Sequence, residues 1–501
     1  MPDAVLAIDQ GTTGSTALVL DRDGRVLARA TEEFTQYYPQ PGWVEHDPEE
    51  IWRVSLEVIG MALDEADLGK GELRAIGITN QRETAVVWDR KTGVPLHRAI
   101  VWQSRQTADI CQRIRDDGLE PMIAERTGLV VDPYFSGSKV KWILDHYPEA
   151  RPRAEAGELV FGTIDTWLLY KLTGGEVFAT EPTNACRTLL YDIRALAWDT
   201  ELLDIFGVPE AMLPEVRPSS GVFGTTVPAR ALPGGVPVAG IAGDQQAALY
   251  GQGCWQPGMV KNTYGTGCFV MVNTGSELQR SCCGLLTTVC CDATGGAAYA
   301  LEGSVFTTGA AVQWLRDEMG LIGSAVETEE VAARIQDTQG VYVVPAFAGL
   351  GAPYWDMDAR GAIVGLTRGS GRDQIIRATL DSIAYQTRDV IDAMNNDAAE
   401  PVLELRADGG AAANNFLMQF QADILGVPVL RPRLLETTAA GSAFLAGLGV
   451  GMWRNPEDLE GAWREDRRFE PGMDPVERDR LYLGWRDAVE RVRADRREAV
   501  R

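Results

Sequence analysis

The 501-residue sequence is poor in basic residues, and its formal net charge is −24 because 47 lysines and arginines face 71 aspartates and glutamates. A surface with this excess of negative charge repels nucleic-acid phosphates and anionic lipids, so neither is an expected partner. The sequence also lacks an apolar run near the roughly 18 residues that a membrane-spanning helix needs. No basic segment precedes the first apolar run, which argues against a secretion signal. We therefore expect a cytoplasmic protein without membrane insertion.

Cysteine and histidine are also scarce, with eight and three copies in the sequence. Without a secretion signal, eight cysteines in so long a chain are expected to be reduced thiols. The pairs Cys282-Cys283 and Cys290-Cys291 lack the two-residue gap of common zinc loops, so we expect buried or half-buried thiols on neighbouring strands rather than a metal site. We expect the histidines to be structural or surface residues: His46, His97 and His146.

The length of the chain exceeds what one hydrophobic core usually serves, which predicts two domains of roughly 250 residues each. We place them at 1–250 and 251–501. Apolar residues make up 45% of the sequence, and no low-complexity tract interrupts it, so both halves are expected to fold around sizeable cores.

Short β-prone segments and amphipathic helices alternate along the first half, which predicts an α/β layered fold. A helix is expected to start where Asp47 can cap it and Pro48 fits its first turn, because Trp52, Leu56 and Ile59 then share one face. The predicted strands are Val5–Ile8, Thr16–Leu20, Arg25–Ala30, Leu73–Ile78 and Thr84–Trp88.

The second half starts with a loose echo of the first. The run "MVKNTYGTGCFVMVNTG" places a glycine turn with hydroxyls between apolar flanks, as "AVLAIDQGTTGSTALVL" does near the amino terminus. Two such hairpins at the head of two similar-sized halves are expected from a duplicated nucleotide-binding domain. A third glycine turn, "ADGGAAANN", follows a predicted strand at Val402–Arg406 and precedes a predicted helix.

The opening stretch "AIDQGTTGST", residues 7–16, has the chemistry of a phosphate site. Gly11 and Gly14 permit positive φ and close approach of a ligand, so that turn N–H groups can surround an anion. A P-loop is excluded because no lysine follows and the next element is a strand. The Asp9 carboxylate would repel phosphate unless a cation lies between them, which predicts Mg²⁺ held through water.

An ordinary hairpin turn rich in glycine and threonine is the alternative for this stretch taken alone. Two further glycine turns, "TYGTG" and "DGGA", and Asp244 after another apolar strand in "AGDQQAALYGQ" favour the phosphate site. Residue chemistry thus predicts a Mg-nucleotide site, and no more than that.

Nearly the whole chain resembles the glycerol kinases of the FGGY family of carbohydrate kinases. The motifs that carry the resemblance occur in the family's order: "DQGTT", "NQRET", "VWQ", "DPYFSG", "GDQQAAL", "NTYGTGCF", "LEGSVFTTGAAVQWLRD" and "DGGAAANNFLMQFQADILG". The resemblance implies two RNase H-like, actin-like ATPase domains with the active site in the cleft between them. It also implies transfer of phosphate from ATP to a terminal hydroxyl of glycerol.

Carried over residue by residue, the resemblance assigns a set of side chains to glycerol that can both donate and accept hydrogen bonds and wall the carbon side. They are Arg82, Glu83, Trp102, Tyr134, Asp244, Gln245 and Phe269. Arg82 and Glu83 are neighbours, so both can reach one ligand only if the backbone bends there. The alternative for this pair is a surface charge pair.

The same resemblance assigns seven residues to ATP: Thr12, Thr13, Thr266, Gly309, Gln313, Gly410 and Asn414. Asp9 and Asp244 would organise Mg²⁺, and Asp244 would accept the hydroxyl proton as general base. We also expect a homo-oligomer, either a dimer or a tetramer.

Two departures from the family pattern matter. Thr16 stands where many members have an arginine that helps to hold nucleotide phosphates, and no histidine lies in "GVFGTTVPARALPGGVPVAG", which argues against control by histidine phosphorylation on that loop. Two rival functions remain: a kinase of the same fold for another polyol or ketose, and an actin-like ATPase without a small acceptor.

Overall fold

The computed structural model of the protein describes residues 3–69, 71–397, 400–459 and 461–493. The strands of the first half are β1 (Ala4–Gln10), β2 (Gly14–Asp21), β3 (Val26–Glu33), β4 (Glu45–His46), β5 (Leu73–Asn80), β6 (Val86–Asp89), β7 (Ala99–Ile100), β8 (Leu159–Gly162), β9 (Ala179–Thr180), β10 (Tyr191–Asp192), β11 (Ala197–Trp198), β12 (Glu215–Val216), β13 (Ser220–Thr225) and β14 (Pro237–Gly243). Those of the second half are β15 (Val260–Tyr264), β16 (Cys268–Gly275), β17 (Leu286–Cys291), β18 (Ala297–Val305), β19 (Tyr342–Val344), β20 (Ala362–Val364), β21 (Leu405–Asp408), β22 (Val429–Pro432) and β23 (Glu465–Phe469).

Helices lie between these strands in both halves. They are α1 (Pro48–Ala66), α2 (Ala108–Asp116), α3 (Glu120–Thr127), α4 (Ser136–His146), α5 (Ala150–Glu155), α6 (Ile164–Leu172), α7 (Pro182–Ala185), α8 (Thr200–Phe206), α9 (Asp244–Gly251), α10 (Gly309–Asp317), α11 (Glu327–Arg334), α12 (Arg372–Asp397), α13 (Asn415–Leu425), α14 (Thr437–Gly449) and α15 (Pro475–Glu490). Short 3₁₀ helices occupy Glu210–Met212, Gly410–Ala413 and Pro456–Leu459. The Asp47 side chain accepts a hydrogen bond from the Glu49 N–H and Pro48 begins α1, so the predicted helix start is confirmed.

Six strands of each large sheet have the same order, with β17 as an additional edge strand in the second sheet, which confirms the predicted duplication. The first runs β13-β14-β5-β1-β2-β3, and the second runs β17-β18-β16-β15-β21-β22-β23. In each sheet an antiparallel meander (β1-β2-β3 or β15-β16-β18) is followed by two parallel strands and an antiparallel edge strand. The carboxyl ends of the parallel strands therefore lie at one edge of each sheet, where the turns after β1, β14, β15 and β21 carry the polar motifs.

Three of the predicted strands begin later than expected, and β3 begins at Val26, one residue after the predicted start. The strand predicted at Thr84–Trp88 is observed as β6 from Val86, and the one predicted at Val402–Arg406 is observed as β21 from Leu405. Val402 donates its N–H to the Asn395 side chain at 2.8 Å, so this residue is held by the end of α12 instead of joining the sheet ladder.

Helix α14 comes from the second half of the chain but packs on the first sheet. Its apolar residues share a buried cluster with strand residues of β1 and β2 and with α9. The backbones approach so closely that a Cβ on Gly441 would lie 1.8 Å from the Ala247 carbonyl oxygen, and one on Gly77 would lie 2.3 Å from the Ser442 carbonyl oxygen. Glycine is required at these contacts because any side chain would separate helix and sheet.

Gly441→Ala is expected to destabilise the protein by about 1–3 kcal/mol, because the added methyl group must displace the α9 backbone. Gly461→Ala is the matched control, since a Cβ there meets no atom within 4 Å. Chemical denaturation of both variants checks the prediction. Equal free energies of unfolding for wild type and Gly441→Ala would contradict the close contact between α14 and α9.

Candidate active site

The β1–β2 hairpin presents the predicted phosphate turn at the edge of the first sheet. Gly11 donates its N–H to the Gly14 carbonyl oxygen at 2.9 Å, which closes the turn around Thr12 and Thr13. Neither glycine has a positive φ, so that part of the prediction was wrong. Gly14 is instead required by packing, because a Cβ there would lie 2.6 Å from the carbonyl oxygen of Glu32 on β3.

A buried polar network supports this turn from below. The Gln81 amide donates to the Gly11 carbonyl oxygen at 3.2 Å, and the Gln36 amide donates to the Thr12 carbonyl oxygen at 3.0 Å. His46 lies between the two glutamines, 2.6 Å from Gln36 Oε1 and 3.3 Å from Gln81 Nε2. Burial lowers the pKa of His46 to about 3, so the imidazole stays neutral in the physiological range. The expectation of a structural histidine is confirmed at this position.

Asp9 and Asp244 lie at the same edge of the first sheet, at the end of β1 and the start of α9. Burial raises the pKa of Asp9 to about 7, and the neighbouring Asp244 carboxylate adds to the rise. Burial also raises the pKa of Asp244, while Arg82 and Lys261 oppose that rise. A buried carboxylate whose proton affinity is raised by a neighbouring carboxylate suits a shared divalent cation, so the donor set fits the predicted Mg²⁺.

Arg82 and Glu83 are both buried, each with 2% of its side chain exposed, so the surface-pair alternative is wrong. Glu83 has φ +61°, which is the predicted backbone bend that lets both side chains turn inward. Arg82 Nε lies 3.0 Å from Asp244 Oδ1, and Nη1 lies 2.6 Å from Glu302 Oε2. Gly243 leaves room for the Arg82 stem, because a Cβ there would lie 2.7 Å from it.

Sequence reasoning missed three charged residues that complete this buried network. Arg187 donates from Nε to Glu83 Oε1 at 2.6 Å and from Nη2 to Glu302 Oε1 at 2.9 Å. Burial alone would raise the pKa of Glu302, but Arg187 and Arg82 outweigh it and hold the pKa at about 2. Lys261 is the third, and burial lowers its pKa to about 8. The available signal was a charged residue inside an apolar β-prone run, which needs a buried partner.

Three aromatic rings assigned to glycerol by resemblance lie close together beside this network. The Trp102 ring centroid lies 5.6 Å from that of Tyr134 and 6.5 Å from that of Phe269. Trp102 Nε1 also donates to Thr12 Oγ1 at 2.9 Å, which ties this aromatic group to the phosphate turn. Gln245, the remaining member of the predicted set, is buried and accepts a hydrogen bond from Lys261 Nζ.

The second glycine turn lies between β15 and β16 and contacts the start of α10. Gly309 donates its N–H to the Gly265 carbonyl oxygen at 3.0 Å, and a Cβ on Gly309 would lie 2.5 Å from that oxygen. The structure thus brings Thr266 and Gly309 together. Gln313 is exposed one turn further along α10.

The third turn packs on the second through Gly409, whose φ is +83° and whose Cβ would lie 2.5 Å from the Tyr264 carbonyl oxygen. Gly410 is exposed there. The Asn414 side chain caps α13 by accepting from the Leu417 N–H at 2.9 Å, and its amide donates to Thr328 Oγ1 at 3.2 Å. Asn414 therefore has a structural role that the sequence reasoning did not include.

The paired cysteines differ from the expectation. Cys290 and Cys291 are buried on β17, but Cys282 is exposed and Cys283 half-buried in the loop before that strand, so placing all four on neighbouring strands was wrong. Ligand atoms of Cys282, Cys283 and Asp397 lie within 4.8 Å of one another. Burial raises the pKa of Cys283 to about 11, so this thiol stays protonated near neutral pH, which disfavours metal binding.

In the described part of the chain, no helix is long and apolar enough to cross a membrane.

Two family matches cover most of the chain. Residues 4–251 match the N-terminal domain of the FGGY family of carbohydrate kinases, and residues 260–450 match its C-terminal domain. The chain belongs to the FGGY family of carbohydrate kinases. The resemblance inferred from its motifs is therefore confirmed.

Individual relatives of this FGGY kinase are similar over nearly their full length. A glycerol kinase from Caldanaerobacter subterraneus is 58% identical over 98% of this chain and 99% of the relative. Glycerol kinase 2 from Thermotoga maritima is 57% identical over 97% of this chain and 98% of the relative. The solved structure of Plasmodium falciparum glycerol kinase with ADP matches with a TM-score of 0.90 and 36% identity, covering 98% of both chains. The predicted two-domain, actin-like α/β fold is confirmed.

Proposed function

We propose that this FGGY kinase transfers the γ-phosphoryl group of ATP to a terminal hydroxyl of glycerol, forming sn-glycerol 3-phosphate and ADP. The observation that carries the proposal is the contact between Arg82 and Asp244, because it holds the Asp244 carboxylate on a guanidinium whose Cζ lies 6.0 Å from the centroid of the Phe269 ring. The relatives named glycerol kinase, at 57–58% identity, support the choice of glycerol and ATP as substrates.

Glycerol binds between the buried charged network and the rings of Trp102, Tyr134 and Phe269. Asp244 accepts a hydrogen bond from one glycerol hydroxyl, and Arg82 donates to another from Nη2. Among the described residues, no acceptor is hydrogen-bonded to Arg82 Nη2, since its bonds use Nε and Nη1. Arg187 fixes the Glu83 side chain, so the Glu83 carboxylate has a defined position for accepting hydrogen bonds from the glycerol hydroxyls. The aromatic rings cover the C–H side of the triol.

Asp244 acts as general base and takes the proton from the attacking hydroxyl as the phosphoryl group moves in line. Its pKa, raised by burial, favours this proton transfer, while Arg82 holds the carboxylate in position. Mg²⁺, when bound near Asp9 and Asp244, would neutralise charge on the nucleotide phosphates. Thr12, Thr13 and Thr266 supply hydroxyls, and Gly309, Gln313, Gly410 and Asn414 form the rest of the nucleotide site.

The two domains, 1–250 and 251–501, close around the bound substrates and exclude water from the phosphoryl transfer. The contact of α14 with the first sheet leaves this part of the second half fixed, so closure moves the remainder of that half. We further propose that the enzyme acts in the cytoplasm as a homo-oligomer, a dimer or a tetramer.

Trp102→Phe is expected to raise KM for ATP by roughly three- to tenfold, since it removes the hydrogen bond that orients Thr12. KM for glycerol should change less, because phenylalanine keeps an apolar wall. Trp142→Phe is the control, since the Trp142 ring stacks on His146 and its other ring contacts are to Trp43 and His97, which are assigned to neither substrate. Steady-state kinetics, with ATP and glycerol varied separately, measures the change in each KM. A larger change for glycerol than for ATP would contradict the proposed orienting role.

The proposal is tested by assaying the purified protein with Mg-ATP against glycerol, other polyols and ketoses, with product identified by ³¹P NMR. We expect glycerol to have the highest kcat/KM. A higher kcat/KM for a pentulose or another polyol would support the rival sugar kinase. ADP release at one rate with every acceptor and with none would support an ATPase without a small acceptor.

A further inference from the structure

The face of the first sheet that carries Asp9 also carries an arginine from a neighbouring strand. Asp9 lies opposite Thr16 in the β1–β2 ladder, and Thr16 lies opposite Thr31 in the β2–β3 ladder. Arg29 is two residues from Thr31 along β3, so all four side chains lie on one face of the sheet. Leu18, opposite Arg29, shares the buried cluster formed with α14, so this is the face that α14 covers.

Arg29 forms an ion pair with the second half of the chain. Its Nε lies 3.2 Å from Oε1 of Glu436, the residue that immediately precedes α14. The side chains are 52% and 33% exposed, so the pair lies at the open rim of this face and not in its core.

The charge around Asp9 is mixed, because Asp244 and Glu436 are acidic and Arg82 is held against Asp244. Thr16 offers only a hydroxyl, which hydrogen-bonds to Thr31 at 3.0 Å between the oxygens. With a net charge of −24, the protein as a whole supplies no attraction for a polyphosphate. Arg29 supplies a positive charge on the same face of the sheet as Asp9 and Thr16, and it is paired with Glu436 rather than with Asp244.

We propose that Arg29 binds the phosphates of the nucleotide, exchanging its bond to Glu436 for bonds to phosphate oxygens. This inference rests on the proposed kinase function. An exposed ion pair contributes little free energy, so its loss costs little, whereas the planar guanidinium matches two phosphate oxygens at once. Before nucleotide binds, Glu436 keeps the guanidinium on the Asp9 face.

The test is the affinity for Mg-ADP, measured by calorimetry without glycerol, together with both KM values. Arg29→Leu should weaken Mg-ADP binding by about tenfold, the low end for a charge-assisted hydrogen bond at a half-exposed site. KM for ATP should rise similarly, and KM for glycerol should stay within about twofold. Arg25→Leu is the control, since it removes the same charge beyond the far end of β3, where Arg25 pairs with Asp23. Its affinity for Mg-ADP should stay near that of wild type.

Rescue separates a phosphate contact from a structural role. Adding Thr16→Arg to Arg29→Leu should restore most of the affinity, because position 16 lies on the same face beside Asp9. Glu436→Gln should tighten Mg-ADP binding when Arg29 is present and leave it unchanged in the Arg29→Leu protein. Unchanged affinity in Arg29→Leu, or equal losses for ADP and glycerol, would overturn the inference. Because Mg-ADP binding is measured without glycerol, failure of the wild type to phosphorylate glycerol would reject the proposed function separately.

Discussion

Asp244→Asn is expected to lower kcat by at least about 100-fold, the low end for removing a general base. The amide keeps an oxygen that can accept from Arg82 Nε, so the side chain should remain in place and the protein should fold. It cannot take a proton from the glycerol hydroxyl at neutral pH. Rapid-quench measurement of the chemical step, with nucleotide binding measured separately, checks this result.

Asp9→Asn is the comparison that separates the base from the metal-organising role. Both residues are expected near Mg²⁺, but only Asp244 is proposed to accept the proton. High Mg²⁺ should therefore restore part of the activity of Asp9→Asn and little of that of Asp244→Asn. Near-normal turnover in Asp244→Asn, or its full recovery with Mg²⁺, would remove Asp244 as the base.

Arg82→Ala is expected to raise KM for glycerol by roughly 10- to 100-fold, since it removes charge-assisted hydrogen bonds made throughout the reaction. KM for ATP should change by less than about threefold, because the assigned nucleotide residues lie on other turns. Steady-state kinetics with each substrate varied in turn measures this difference. Equal increases for the two substrates would place Arg82 outside the glycerol site.

Arg82→Ala also leaves the buried Glu302 and Asp244 carboxylates with fewer hydrogen-bond partners, which lowers the free energy of unfolding. Arg82→Lys is the matched variant, because it keeps the charge but loses the planar fork that contacts both carboxylates. It should unfold at a temperature closer to that of wild type and still have a raised KM for glycerol. A KM effect seen only in variants with reduced stability would mean that Arg82 acts through folding alone.

Much of the fold was predictable because local signals agreed with the final packing. The hairpin at residues 4–21, the helix start at Asp47 and the repeated glycine turn all follow from apolar spacing and turn chemistry. The late start of β21 could not be predicted, because it depends on a hydrogen bond from the Val402 N–H to the Asn395 side chain in α12. The contact of α14 with the first sheet joins residues as distant in the sequence as Gly77 and Ser442, and only small residues such as Gly77 indicated it.

The candidate active site likewise contains residues that could be predicted from the sequence and residues that could not. Arg82 and Glu83 could be placed together because the resemblance named them, and the need for a bend followed from strand geometry, which φ at Glu83 bears out. Arg187 and Glu302 were missed because their importance comes from mutual burial, which separation by 115 residues conceals. The sequence reasoning attributed Gly14 to a positive φ, but glycine is required there because the backbone of β3 approaches closely.

The measurement that tests the central claim most directly is the rate of ADP release from Mg-ATP with and without glycerol. A glycerol kinase that closes around both substrates should release ADP at a rate that rises steeply and saturates with glycerol, with one glycerol 3-phosphate formed per ADP. The rate without glycerol should be a small fraction of that value. Equal ADP release in both conditions, with no phosphorylated glycerol, would contradict the account.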